Sequence, residues 1–172
     1  MAEITAVIIA AIVHELGHIT AARILRVKLI GFSLTPCGGL LQYDFSRISY
    51  PAEAAVHFAG GFVGISAGIA AYALLGQSAR TFLGVSVLFT AVNFLPIRGF
   101  DGGALLNSLL LSFFDPGIAY RAVSAVSFAA SLVLWLALSV CALSSPDAAN
   151  PAALYFAVSV LIASVLWGRD FV

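Results

Sequence analysis

Along the chain, long apolar runs alternate with short breaks rich in glycine, proline or charge. The first run, about residues 2 to 22, is apolar over most of its length and ends at Arg23, Arg26 and Lys28. A stretch this long and this apolar can cross a membrane as a helix. Residues 27 to 46 are too short and too broken to span. Their β-branched and aromatic flanks around Thr35-Pro36-Cys37-Gly38-Gly39 predict a β-hairpin. Its apolar flanks favour re-entry into the membrane, where protein or a water cavity must cover the backbone, over an ordinary cytoplasmic loop. A second span follows over about Pro51 to Leu75, with Gly60, Gly64 and Gly68 at four-residue spacing to let a neighbouring helix pack closely. A third begins near Phe82 and breaks at Pro96 and the glycines Gly99, Gly102 and Gly103 before resuming from Ala104 to Phe114. The fourth and fifth cover about Ile118 to Ala142 and Ala152 to Trp167. The pattern predicts an all-α polytopic membrane protein with about five transmembrane spans, a short re-entrant β-hairpin and one broken helix. One transmembrane core domain, residues 1–172, accounts for the whole length.

Composition agrees with lipid as the solvent. Of the 172 residues, 62% are hydrophobic and only 9% charged, with a mean hydropathy of +1.07, against about 25% charge in an ordinary soluble domain. Net charge is zero and the largest basic cluster is Arg23, Arg26 and Lys28, so nucleic acid is not an expected partner. Cys37 and Cys141 form no C-x-x-C pair and point to no disulfide framework or thiolate metal site. Basic residues collect in the loops at Arg23, Arg26, Lys28, Arg47 and Arg169, with Arg80 on the other side. That bias predicts an outside N-terminus and a cytoplasmic C-terminus.

The first span carries His14-Glu15-Leu16-Gly17-His18. Histidines four residues apart share one helix face, so both imidazoles can grip one ion, while Glu15 can reach a metal-activated water without being a ligand. The bland alternative is a buried helix with two satisfied histidines. It fares poorly because a carboxylate in the middle of an apolar span costs roughly 2.5–3.5 kcal/mol on insertion scales and usually faces a cavity, a partner or an ion. A catalytic zinc takes three protein ligands and keeps a fourth position open. Asp101 is the best third ligand, because it alone combines a carboxylate with a break inside a span. One Zn2+ per chain is expected, held by His14, His18 and Asp101, with Glu15 as general base and acid. Asn93 either bonds an extended substrate or satisfies carbonyls freed by Pro96. His57 reads first as a packing or hydrogen-bonding residue, with a ligand or proton-relay role as the alternative.

HELGH in an early span followed by Asn93-Phe94-Leu95-Pro96-Ile97-Arg98-Gly99-Phe100-Asp101-Gly102 in a later one resembles the site-2 protease family of intramembrane zinc metalloproteases. Leu34 to Gly39 looks like that family's re-entrant hairpin turn, with Cys37 where phenylalanine is common. The resemblance covers roughly Ile4 to Leu109. It implies zinc ligation by His14, His18 and Asp101, catalysis by Glu15, and substrate binding by Asn93 and by the hairpin, with Gly38 and Gly39 at its turn. The implied reaction is hydrolysis of a peptide bond in or near a transmembrane segment of a substrate protein, toward the cytoplasmic side. A regulatory membrane partner and a bacterial cell membrane as setting are further expectations. The short core, without a PDZ insertion, is most similar to the bacterial branch that contains the sporulation protease. In one place the chain departs from the family: where A-G-P-x-x-N is frequent, it has Ala59-Gly60-Gly61-Phe62-Val63-Gly64, so glycines replace the proline and the asparagine. The remaining alternatives are a membrane protease for prenylated or soluble peptides, which usually takes a glutamate as third ligand, and a non-catalytic zinc scaffold or carrier.

Overall fold

A computed structural model describes residues 2–35, 38–144, 155 and 158–162. The first apolar run forms α1, Ala2–Ile24. Leu25 follows it, then Arg26 at φ 59°, and the backbone closes the end with Val27 N–H donating to the Ala22 carbonyl at 2.8 Å and Arg26 N–H to that of Arg23 at 3.1 Å. These two bonds, with the left-handed residue between them, make a Schellman stop. Val27 then packs on Ala22 and on Val56 of the next helix, which completes the stop with a hydrophobic contact.

The chain turns from there into β1, Lys28–Thr35, and β2, Gly38–Asp44, paired antiparallel from Lys28 opposite Asp44 to Thr35 opposite Gly38. A bulge between Leu29 and Gly31 shifts the register. The hairpin is therefore present, while its turn residues Pro36 and Cys37 lie outside the described residues.

Pro51 stands in the first turn of α2, Tyr50–Leu75, where its missing N–H costs nothing. The 3-10 turn Gly76–Ala79 then leads into α3, Arg80–Asn93. Helices α2 and α3 run antiparallel: Gly68 faces Leu83 and Ser86 near the turn, and Gly61 faces Thr90 and Phe94 farther from it. Helix α1 is antiparallel to α2 in the same way, with Gly17 against Ala59, Gly60 and Val63, and His14 beside Gly64. The small-residue stripe of α2 thus receives α1 on one flank and α3 on the other, the close approach its spacing predicts.

Helix α3 stops at Asn93 and α4, Asp101–Leu111, begins after a seven-residue loop. Gly99 in that loop has φ 91°, a conformation that other side chains resist. The loop folds tightly over the start of α4, so that an ideal Cβ on Gly102 would come within 2.3 Å of the Phe94 carbonyl oxygen and one on Gly103 within 2.3 Å of that of Ile97. It is pinned from outside by α5, Pro116–Ser144, where the Ser127 hydroxyl accepts the Arg98 N–H at 2.8 Å and the Arg98 guanidinium reaches the Tyr120 carbonyl and the Ser124 hydroxyl. Ile97, Phe100 and Val160 close this corner as a small apolar core.

Among the described residues three stretches are long and apolar enough to cross a membrane: Glu3–Ile24, Tyr50–Asn93, which takes α2, the turn and α3 together, and Pro116–Cys141. The architecture is mostly helical with a single described two-stranded sheet. The broken helix appears as the pair α3 and α4, of 14 and 11 residues. Of the expected fifth span only Tyr155 and residues 158–162 are described, and they are helical; the rest of it lies outside the described residues. Large apolar side chains such as Ile4, Ile24, Leu74, Leu88 and Phe113 are well exposed, as a surface in contact with lipid requires.

Candidate metal centre

The H-E-x-x-H helix and the broken helix meet on the inner side of α1. His14 and His18, one turn apart, are both buried, and the start of α4 brings Asp101 to them. His14 Nε2 lies 2.8 Å from Asp101 Oδ2, His18 Nε2 lies 3.1 Å from the same oxygen, and the two Nε2 atoms are 3.1 Å apart. These residues are separated by 83 and 87 positions in sequence, so the cluster is a product of tertiary folding.

Each member is held from behind. His18 Nδ1–H donates to the Val56 carbonyl of α2 at 2.8 Å, which fixes the tautomer and leaves the Nε2 lone pair aimed at Asp101 and His14. The His14 ring stands edge-on to Phe89 of α3, with centroids 5.0 Å apart. Asp101 sits in the first turn of α4, where the helix dipole favours a carboxylate.

With the Nδ1 hydrogen of His18 committed to Val56, the atoms that converge are electron-pair donors crowded together, an arrangement that needs a proton or a cation between them. His14, His18 and Asp101 form the one group of three or more potential ligands found among the described residues. Two imidazole nitrogens and a carboxylate oxygen suit zinc, whose bonds of about 2.0–2.2 Å set tetrahedral ligand edges of roughly 3.4 Å. The observed separations of 2.8–3.1 Å are shorter than such an edge, so the three atoms need only part by a few tenths of an ångström to admit the ion.

A cavity of about 250 Å³ opens beside the cluster, lined among others by Glu15, His18, Asp101, Asn93, Leu41 and Tyr43. Glu15 is half-buried on its wall. Asn93 also faces it and donates its side-chain N–H to the Phe89 carbonyl at 3.0 Å, so it satisfies a helix-end carbonyl while bordering the cavity. His57 lines the cavity without joining the ligand group; its Nε2 is 3.9 Å from Glu53 Oε1 and its ring packs on Phe45. Gly38 and Gly39 open β2 opposite Thr35 and Leu34, whereas the residues of that strand that line the cavity are Leu41 and Tyr43. Those two escaped the sequence reading. Two-residue periodicity along β2 was the signal that could have found them, since it puts Leu41 and Tyr43 on one face.

No family model matches the chain, and no curated protein does. Among solved structures it is similar to the Site-2 Protease from Methanocaldococcus jannaschii, with 19% sequence identity and a TM-score of 0.69 over 98% of this chain and 78% of that one. Over nearly its whole length the chain therefore shares the overall fold of that site-2 protease.

Proposed function

We propose that the protein is an intramembrane zinc metalloprotease that hydrolyses a peptide bond in or near a transmembrane segment of a substrate protein. The observation that carries this reading is the convergence of His14, His18 and Asp101 from α1 and α4 onto one point, with Glu15 on the wall of the adjoining cavity. His14, His18 and Asp101 hold one zinc, which supplies Lewis acidity and makes water a nucleophile at neutral pH. Glu15 takes the proton from the attacking water and delivers it to the leaving amine. The cavity admits an extended segment between β2 and the start of α4, with Asn93 at its side. A helical substrate hides its carbonyls in its own hydrogen bonds, so it must unwind locally; a strand edge offers main-chain bonds in exchange. An outside N-terminus and cleavage toward the cytoplasmic side follow from the basic residues that flank α1, and the five apolar runs of the sequence make five crossings the number proposed. The uninterrupted course from β2 to α4 keeps the sporulation-protease-like branch as the one proposed.

The test is purified protein against a panel of single-span membrane substrates, wild type beside Glu15→Gln, with and without a chelator. Cleavage that needs both metal and Glu15 is the expected result. A protein that cuts none of the panel but moves zinc between vesicles, indifferent to Glu15→Gln, is a carrier and overturns the reading.

A further inference from the structure

The two imidazoles of the centre are not supported alike. His18 Nδ1 has the Val56 carbonyl, but His14 Nδ1 is buried and has no hydrogen-bond partner. Metal-binding histidines almost always give their second ring N–H to an acceptor, which sets the tautomer and the ring orientation. A buried donor left bare forfeits its hydration without a hydrogen bond in exchange. On the facing helix α3, the hydroxyl of Thr90 is buried and unpartnered too, and the whole residue is only 2% exposed.

Both orphaned atoms border the same small space. An ideal Cβ on Gly64 would stand 3.9 Å from His14 Nδ1 and 3.6 Å from Thr90 Oγ1, with no nearer atom of another element. Both orphaned atoms thus face the space above Gly64, where a heavy atom seated farther out than that Cβ position lies between them. The Thr90 methyl points elsewhere, onto Gly61: a Cβ there would come within 2.7 Å of Thr90 Cγ2 and 2.6 Å of Phe94 Cζ. The two glycines that depart from the A-G-P-x-x-N pattern thus serve one side chain, with Gly61 beneath the methyl of Thr90 and Gly64 beneath its hydroxyl.

We propose that Thr90 is a positioning residue for His14, acting through one water seated over Gly64 that accepts the His14 Nδ1–H and bonds the Thr90 hydroxyl. The proposal rests on the metal-binding reading above. Two polar neighbours are the minimum such a water needs. The bridge fixes the Nδ1–H tautomer of His14 and turns its Nε2 lone pair toward Asp101, as Val56 does for His18. It also accounts for the departure from the family pattern, because a side chain at position 64 would fill the seat of the water.

The experiment measures zinc affinity by chelator competition, a readout independent of turnover. Thr90→Val, which keeps the shape and removes the hydroxyl, and Gly64→Ala, whose added methyl meets only ordinary contacts, are each expected to weaken zinc binding about 10–100-fold. The double variant is expected to be no weaker than the worse single one, since both remove the same bridge. Thr90→Ser keeps the hydroxyl and restores affinity. Ser86→Ala removes an equally buried, unpartnered hydroxyl one turn away, beside Gly68, and leaves affinity unchanged. Wild-type affinity in both Thr90→Val and Gly64→Ala overturns the proposal, as does an equal loss in Ser86→Ala, which would mark a general packing effect. If Thr90→Val does not fold, Gly64→Ala with and without Thr90→Ser reads the same bridge. A wild-type protein that binds no zinc brings down the metal reading itself, a result distinct from a failure confined to Thr90.

Discussion

Gly60 of α2 lies so close under His18 that an ideal Cβ on it would stand 2.2 Å from His18 Nε2, well inside contact distance. The imidazole cannot simply swing aside, because its other nitrogen is tied to the Val56 carbonyl four residues earlier on the same helix. Gly60→Ala must therefore either break that bond or push α1 from α2. Either way His18 leaves the cluster. Zinc content measured on the purified variant is expected to fall from one equivalent to well below half, with the helical signal in circular dichroism kept. One full equivalent of tightly held metal in Gly60→Ala would contradict this packing.

Glu15 and Asp101 share the cavity but are expected to fail differently. Glu15→Gln keeps the ligand set and should retain zinc while lowering the cleavage rate about 10²–10⁴-fold, the usual worth of a positioned general base and acid. Asp101→Ala removes the oxygen that lies 2.8 Å from His14 and 3.1 Å from His18, and should lose both metal and cleavage. Metal analysis beside a cleavage assay separates the two. Equal zinc loss in both variants would make Glu15 a ligand and require another base.

How much of this was legible beforehand depends on the range of the interaction. His14 and His18 could be placed on one face because helical periodicity is local, and Asp101 could be singled out because Pro96 and three glycines mark a break. Their convergence across 83 to 87 residues is tertiary and followed only from the chemistry of a three-ligand ion. The glycine stripe of α2 announced close packing but not what it packs against. The structure sets Gly60 under His18, Gly61 under Phe94 and Gly64 beside His14, so the stripe shapes the candidate centre as well as the helix contact. Thr90 was illegible for the same reason: a threonine inside an apolar helix carries no local mark of a buried hydroxyl aimed at a neighbouring helix.

Asp44, at the foot of the hairpin, offers a prediction outside the spans. Its carboxylate accepts hydrogen bonds from the Ser46 hydroxyl at 2.6 Å and from the Ser46 N–H at 3.1 Å, and these hold its pKa below the ordinary aspartate value. A carboxyl depressed by folding contributes stability that is present above the unfolded pKa and lost as pH falls through the folded one. Nuclear magnetic resonance titration of the protein in micelles should show Asp44 titrating below an unperturbed aspartate. In Ser46→Ala the loss of the hydroxyl bond should move it back upward. An unchanged midpoint in the variant would mean the hydroxyl bond is not formed in solution.

Arg26 closes α1 in the left-handed conformation, with φ 59°, where glycine is the usual occupant. A residue with a Cβ gives up about 1–2 kcal/mol there, whereas glycine gives up about 0.5–1 kcal/mol through the greater freedom of its unfolded chain. The side chain of Arg26 is exposed, so its replacement disturbs little packing. Arg23, Lys28 and Arg47 remain to carry the basic character of this side. Arg26→Gly is thus expected to stabilise the protein by about 0.5–1 kcal/mol in reversible unfolding from detergent micelles. Arg26→Val, branched at Cβ, should move it the other way, because crowding at Cβ is what this conformation penalises. Since Val27 must donate to Ala22 for the turn to close, the two variants should also diverge in amide exchange at Val27, slower in the glycine variant and faster in the valine one. A glycine variant no more stable than the valine one would show that the stop is not set by the conformation of Arg26.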